Sequence, residues 1–171
     1  MTSVEEYAQI YSERMIQYQK HNKTPDRRCK DNAAILQFIL RRISPVNPAT
    51  ITIETICVSG EDNIDGPKII LSHWRLRINS MTIDPSYETD RLINKIIYSS
   101  PEEMSNKLNL SYQTRATKNS LFQKYNFQRH QDEFRSFQKE SNNLNSGGDQ
   151  LWGPYCYELI KNVFPEFRLL I

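Results

Sequence analysis

Apolar residues recur at helical spacing in two stretches near the start of the chain. Residues 4–19 carry a loose apolar stripe on a polar body. From Cys29 to Ile43 apolar side chains cover most of the helix circumference, which predicts a buried helix. This helix should end before Pro45, because the residue that precedes a proline avoids helical backbone angles. A polar linker that contains Pro25 separates the two predicted helices.

The middle of the chain has the pattern of β-strands. Residues 50–58 are rich in β-branched side chains and alternate in polarity, which predicts a strand. Residues 59–67 contain two glycines and three acids and are predicted to form a loop. Residues 68–78 and 81–84 follow as a second and a third strand. Asn79 and Ser80 between them are predicted to form a two-residue hairpin turn, since asparagine tolerates a positive φ.

The second half of the chain is mostly helical in pattern. Short helices are predicted over residues 87–98 and 101–108, the second of them preceded by Ser100 as its cap. A polar helix with an aromatic stripe is predicted over residues 117–140, and a closing helix over 154–163. Residues 141–150, with Gly147 and Gly148, are predicted to be a flexible loop. The order of elements predicts an α+β fold with a helical C-terminal half.

Composition narrows the class of protein. The chain has 171 residues, 38% hydrophobic and 25% charged, which suits a single domain over residues 1–171. A net charge of +2 without a clustered basic excess favours neither a nucleic-acid partner nor a membrane surface. There is no apolar run long enough for a membrane helix and no secretory signal. Three cysteines at irregular spacing argue against a disulfide framework and for a reducing, cytoplasmic location. The oligomeric state stays open.

Cys29 is the strongest candidate for a nucleophile. It stands at the predicted start of the buried helix, where unpaired backbone N–H groups and the helix dipole favour an anion. Arg27, Arg28 and Lys30 flank it, and neighbouring cations also favour a thiolate. A single cysteine more often packs as a small hydrophobic residue, so its position at a charged helix start carries the hypothesis.

The predicted hairpin supplies partners for Cys29. A turn at residues 79–80 pairs Arg75 with Asp84 and puts His73 diagonally from Asp84 on the same face. Such diagonal neighbours lie about 7–8 Å apart, within reach of a carboxylate–imidazole bond. Asp84 would then orient the imidazole, as the third member of a catalytic triad does. The alternatives are that Asp84 only pairs with Arg75 and that His73 is a half-buried structural histidine.

Two motifs resemble the transglutaminase-like branch of the papain-like fold. They are the segment from Cys29 to Leu40, with its cysteine at a helix start, and the segment from His73 to Ser86, with an aromatic after the histidine and the sequence Ile-Asp-Pro-Ser. The resemblance covers residues 29–86 and implies a papain-like core in which the nucleophile helix packs on a small antiparallel sheet, with residues 100–171 as a helical extension. It implies Cys29 as nucleophile, His73 as base and Asp84 as the orienting acid. Arg28 and Lys30 depart from the family's glycine before and aromatic after the cysteine.

The triad predicts acyl transfer through a thioester, on an amide or peptide substrate, with water or an amine as acceptor. Protease, deamidase and transglutaminase chemistry share this first half-reaction. The backbone N–H of Cys29 is one expected oxyanion donor, and Gln17, Gln19 and Asn22 are candidates for another. No cofactor or metal is expected. The alternative from a different class is a non-catalytic binding or structural protein that retains the fold.

Other sites are less well supported by the sequence. The cysteines and histidines are scattered and lack zinc-ligand spacing. No glycine-rich phosphate loop is present. Cys57 lies in a predicted strand and is expected in the core, while Cys156 begins the last helix and is the rival nucleophile. The basic and aromatic stretch 122–137 is expected to be a solvated helix with a packed stripe rather than a nucleic-acid surface.

Overall fold

The computed structural model describes residues 2–43, 50–115, 120–150 and 152–170, without the side chains of 109–115, 120–127 and 168–170. The helices are α1 (Val4–His21), α2 (Cys29–Ile43), α3 (Tyr87–Asp90), α4 (Pro101–Arg115), α5 (Ser120–Asn145) and α6 (Pro154–Asn162), followed by a 3₁₀ turn (Pro165–Leu170). The strands are β1 (Ile51–Asp62), β2 (Gly66–Ile78), β3 (Met81–Ile83) and β4 (Ile93–Tyr98). The predicted α+β class is therefore confirmed, while its papain-like specifics stay a prediction.

The four strands form one small antiparallel sheet in the order β3-β2-β1-β4. The β2–β3 hairpin has the predicted register, with Leu76 opposite Ile83 and Ile78 opposite Met81. Asn79 begins the turn with a φ of 55°, the left-handed conformation for which asparagine is suited. The prediction about His73 and Asp84 was based on this register.

Two sequence predictions about the sheet were wrong. The region 59–67 is not a loop, because β1 continues to Asp62 and β2 begins at Gly66. The region 87–98 is not one helix: only the four residues of α3 are helical, and β4 follows. β4 pairs with β1, Cys57 opposite Tyr98, and this long-range pairing decides its conformation.

Contacts between residues divide the chain into two compact units. The single domain over residues 1–171 stays a prediction. The first unit comprises Met1–Glu54, Trp74–Arg91 and Ser141–Ile171. In it α2 packs against α1 and α6, and α1 also contacts α3 and β3. Its core is built from the buried faces of these elements, which include Met15, Leu36, Leu40, Leu76, Ile78, Leu159 and Phe164.

The C-terminal end of α5 belongs to this first unit and corrects a third prediction. Residues 141–145 continue the helix instead of opening a flexible loop. The amide of Asn145 donates to Ile53 O at 2.9 Å and accepts from Ile53 N–H at 2.8 Å, so it serves as a strand partner for β1. Gly147 then ends the helix with a φ of 89°, its N–H donating to Leu144 O.

The second unit comprises Thr55–His73 and Leu92–Glu140. Cys57, Tyr98, Met104 and Phe134 form one buried cluster, and Ile56, Val58 and Leu92 form another. Ser100 caps α4 as predicted, its hydroxyl accepting from Glu103 N–H at 3.1 Å. The predicted aromatic stripe lies partly outside the described side chains, at Phe122, Tyr125 and Phe127. In the part of the chain that the structure describes, no helix has the length and apolarity to cross a membrane.

Candidate active site

Cys29 is the first residue of α2 and is a free, buried cysteine, 6% exposed. The chain that leads into the helix is held at two consecutive residues, Asp26 and Arg27. Arg27 has a φ of 71°, unusual for a side-chain-bearing residue, and its N–H donates to the buried carboxylate of Glu88 at 2.9 Å. Just before it, Asp26 pairs with both terminal nitrogens of Arg91, at 3.0 and 2.9 Å. The backbone at the helix start is therefore held by bonds to α3 and Arg91.

Two cations flank Cys29 and are held by aromatic rings. The guanidinium of Arg28 lies 4.8 Å from the ring centre of Tyr155, and the ammonium of Lys30 lies 5.7 Å from that of Trp74. Arg28 also forms an ion pair with Asp31 at 3.4 Å. Both residues that flank Cys29 in the sequence are therefore cations with defined partners.

Asp84 directly follows β3, and its carboxylate is oriented by its own segment. Oδ1 accepts the N–H of Ser86 at 3.1 Å, and Oδ2 accepts the hydroxyl of Thr89 at 2.7 Å. The first bond is a turn that aspartate commonly forms with the residue two positions later. Both oxygens of the carboxylate therefore accept a bond from the segment that follows it, and these two bonds fix its direction.

Arg75 has a carboxylate partner on β1. Arg75 Nε donates to Glu54 Oε1 at 2.6 Å, and Arg77 Nε donates to Glu54 Oε2 at 3.1 Å. One carboxylate on β1 thus binds both arginines of β2. The residues that alternate with these arginines on β2, Trp74, Leu76 and Ile78, are buried.

His73 lies in β2 and is fully buried. By contacts it belongs to the second unit, whereas Cys29 and Asp84 belong to the first. The approach of His73 to the other two side chains therefore stays a prediction from sequence.

A buried polar network joins the first turn of α2 to the segment of Asp84. Asn32, one turn after Cys29, donates from Nδ2 to Ser86 Oγ and to Gln19 Oε1, both at 3.1 Å. Its Oδ1 accepts the hydroxyl of Tyr155 at 2.9 Å. Asn32 is 1% exposed and uses both of its amide protons and its oxygen inside the protein. The nucleophile's helix turn and the carboxylate's segment are therefore fixed against each other.

The three side-chain amides that were candidates for the oxyanion hole, Gln17, Gln19 and Asn22, all form hydrogen bonds within the protein. Gln19 donates both amide protons to backbone carbonyls, of Met15 at 3.0 Å and Pro85 at 2.7 Å, so its role is structural. Gln17 donates to Glu13, and Asn22 donates to Tyr18 O, each within α1 or its cap. The cavity beside Gln19 and Asn32 has a volume of only about 10 Å³. That is about the space of one water molecule, so a peptide does not enter here.

The other two cysteines are poor nucleophiles. Burial raises the pKa of the Cys57 thiol to about 12, and Cys57 Sγ donates to Leu71 O at 3.2 Å. This agrees with the predicted core position of Cys57. Burial, and then the nearby Asp31 carboxylate, raise the pKa of the Cys156 thiol to about 12. Since only the thiolate attacks, the rival nucleophile Cys156 is unreactive near neutral pH.

Sequence reasoning missed three residues that support the candidate site, Asn32, Thr89 and Tyr155. Asn32 carried a signal, because it is a polar residue next to Ala33 and one turn before Leu36 in a helix predicted to be buried. Tyr155 carried none, since it lies more than a hundred positions from Asn32 and meets it only in the fold.

Among the described residues, no three His, Cys, Asp or Glu side chains are grouped as metal ligands. Comparisons with protein-family models, with curated proteins and with solved structures find no significant match to this chain. The account of function therefore rests on the residues and their geometry.

Proposed function

We propose that this protein is a cysteine-dependent acyl-transfer enzyme of the transglutaminase-like type, with Cys29, His73 and Asp84 as its triad. The observation that carries the proposal is the 3.1 Å hydrogen bond between Asn32 and Ser86. Asn32 lies one turn after Cys29, and the N–H of Ser86 donates to Asp84. One buried contact thus joins the helix start of the nucleophile to the segment of the acid, and these two segments carry the family resemblance.

The proposed reaction begins with attack of the Cys29 thiolate on the carbonyl carbon of an amide. The backbone N–H groups of the first turn of α2 stabilise the oxygen that becomes negative. The protonated His73 gives its proton to the leaving amine, and a thioester remains on Cys29. Water or an amine then attacks the carbonyl carbon of the thioester while His73 accepts its proton. The C–S bond breaks, the acyl product leaves, and Cys29 is again a thiolate beside the protonated His73. The expected substrate is a protein or peptide.

Asp84 has the supporting role in this scheme. The bonds from Ser86 and Thr89 hold its carboxylate in one direction, as required of a group that orients an imidazole. Its charge also stabilises the imidazolium that pairs with the thiolate.

The proposal is tested by acylation with an activated ester. The folded full-length chain is treated with p-nitrophenyl acetate near neutral pH, and the position of the acetyl group is read by mass spectrometry. We expect a thioester on Cys29 that hydroxylamine removes, and none on Cys57 or Cys156, which serve as internal controls. His73→Gln should abolish the fast phase of p-nitrophenol release.

A different distribution of the acetyl group would reject the proposal. If Cys29 stays unmodified, or reacts no faster than Cys156, the chain is the non-catalytic binding or structural protein that is the alternative. If His73→Gln acylates as fast as the wild type, Cys29 acts without His73 and the triad is wrong.

A further inference from the structure

The first unit contains an open pocket of about 340 Å³ beside the C-terminal half of α2. Its walls come from α2, from the end of α5 and from the chain that leads towards α6. The lining side chains used below are Phe38, Arg41, Arg42, Asp149 and Trp152. A volume of this size is at the lower end of the range of small-molecule sites, roughly 300–1,000 Å³.

One wall of the pocket is aromatic and is held in place. The rings of Phe38 and Trp152 lie edge to face, with centres 4.4 Å apart. The indole N–H of Trp152 donates to Gln150 Oε1, and Gln150 Nε2 donates to Ala34 O at 3.2 Å. The indole is therefore anchored to α2 through Gln150, and a planar ligand meets a preformed surface.

Two arginines contribute positive charge without a carboxylate partner among the described residues. Arg41 donates to the carbonyl oxygens of Leu144, Ile51 and Asn145, at 3.1, 3.0 and 3.3 Å. The guanidinium of Arg42 lies over the Phe38 ring at 3.3 Å, and it donates to Phe38 O. All of these acceptors are neutral. Burial lowers the pKa of both arginines, of which Arg41 is half-buried and Arg42 is exposed.

The balance of charge around the pocket favours a singly charged anion. Arg41 and Arg42 supply two positive charges, and Asp149 supplies one negative charge. A single carboxylate neutralises this net charge of +1, whereas a dianion such as a phosphate monoester leaves an excess negative charge beside Asp149. The aromatic wall adds a preference for a planar, apolar group next to the charge.

We propose that this pocket binds a small aromatic carboxylate, whose ring packs against Trp152 and whose carboxylate pairs with Arg42. Arg41 adds positive potential while it anchors the end of α5. The proposal is independent of the acyl-transfer chemistry, because no residue of the pocket belongs to the triad.

The test uses 2-naphthoate as the probe and the folded full-length chain, with binding measured by calorimetry. Arg42→Gln should weaken binding about tenfold, which is 1.4 kcal/mol, by removing one charge-assisted contact. Asp149→Asn should strengthen binding a few-fold, because it removes the repulsive charge. These two opposite shifts have a common control in the neutral analogue 2-naphthamide, whose binding should respond to neither substitution.

Further outcomes decide the identity of the ligand. Cys29→Ala should bind the probe like the wild type, and circular dichroism should show that Arg42→Gln keeps its fold, since Arg42 is exposed. If 2-naphthamide binds as tightly as 2-naphthoate, or if Arg42→Gln has no effect, the anion site is rejected. If inorganic phosphate displaces the probe at equal concentration, the aromatic wall has no role and the proposal fails.

Discussion

Two helices of the first unit, α2 and α6, each have a cysteine in the first turn, and the side chains around these two cysteines differ. Cys29 is the first residue of α2, flanked by Arg28 and Lys30. Cys156 is the third residue of α6, and its sulfur donates to Asp31 Oδ1 at 3.7 Å. Both thiols are buried. The nearest charged neighbours therefore differ: two cations stand beside Cys29 in the sequence, and a carboxylate accepts the thiol of Cys156. Arg28 also lowers the pKa of Cys156, but burial and Asp31 raise it by more.

The pKa of Cys156 shows that a place in the first turn of a helix does not by itself favour a thiolate. A helix dipole stabilises a nearby anion by about 0.3–1 kcal/mol. Burial and the Asp31 carboxylate raise the pKa of Cys156 from 9.0 to about 12, on the order of 4 kcal/mol against the thiolate. The unfavourable contribution is several times larger than the dipole. The charge of the neighbouring side chains and the burial of the sulfur decide the outcome.

The largest expected effect is on the labelling of the folded protein by iodoacetamide when Cys29 or Cys156 is replaced. At neutral pH, Cys29→Ala should reduce labelling of the folded protein by iodoacetamide at least about a hundredfold. The reason is that thiols with a pKa near 12 have a thiolate fraction on the order of 10⁻⁵ at pH 7. Cys156→Ala should label like the wild type. In denaturant the two variants should be labelled at the same rate. An equal reduction of labelling in both folded variants would contradict the comparison.

The second effect separates the roles of Asp84 and Arg75. Asp84→Asn should slow acylation of Cys29 by about two to four orders of magnitude, because the amide favours the wrong imidazole tautomer. Arg75→Ala removes a charge from the same hairpin, but the ion pair it breaks is with Glu54, so acylation should be unchanged. Burst kinetics with the activated ester measure both. Equal rates in the two variants would remove Asp84 from the mechanism.

The third effect concerns the network that fixes the start of α2. Asn32→Ala removes the partner of the Ser86 hydroxyl, the acceptor of the Tyr155 hydroxyl and one of the two donors to Gln19 Oε1, and it should lower the free energy of unfolding by about 3 kcal/mol. Asn162→Ala is the matched control, since Asn162 is exposed and donates to Glu158 O within α6, and the substitution should cost less than about 0.5 kcal/mol. Urea denaturation measures both. A loss in Asn32→Ala no larger than in the control would mean that the network does not fix α2.

The smallest expected effect is on the alkylation rate of Cys156. Asp31→Asn removes the carboxylate that opposes its thiolate, so alkylation of Cys156 should become a few-fold faster. The gain should stay below about tenfold, because burial is the larger cause of the raised pKa and remains. Alkylation of each cysteine, resolved by mass spectrometry at pH 9, measures the change. An unaltered rate at Cys156 would show that Asp31 has no part in its pKa.

Local signals made the hairpin and α2 predictable. The apolar pattern from Cys29, the break before Pro45 and the tolerance of Asn79 for a positive φ are all properties of neighbouring residues. They defined the helix start, the turn and the register correctly. The candidate residues of the site were found for the same reason, because each lies at the end of a locally specified element or within one.

Elements that depend on distant partners were predicted wrongly. The apolar residues Leu92, Ile93, Ile96 and Ile97 are spaced as on a helix, yet the pairing of β4 with β1 makes them extended. Residues 141–145 looked like a flexible loop because of the glycines that follow. Their helix is held by the bonds of Asn145 to Ile53, and no local pattern encodes that contact.

The central claim is that Cys29 attacks as the thiolate of a pair with His73, and one measurement tests it most directly. The alkylation rate of each cysteine is followed by mass spectrometry from pH 4 to pH 10, in the wild type and in His73→Gln. We predict that at pH 7 Cys29 is alkylated at least about a hundredfold faster than Cys57 or Cys156, and that His73→Gln removes most of this difference. Alkylation rates of Cys29 that are identical in the two proteins from pH 4 to pH 10 would contradict the account.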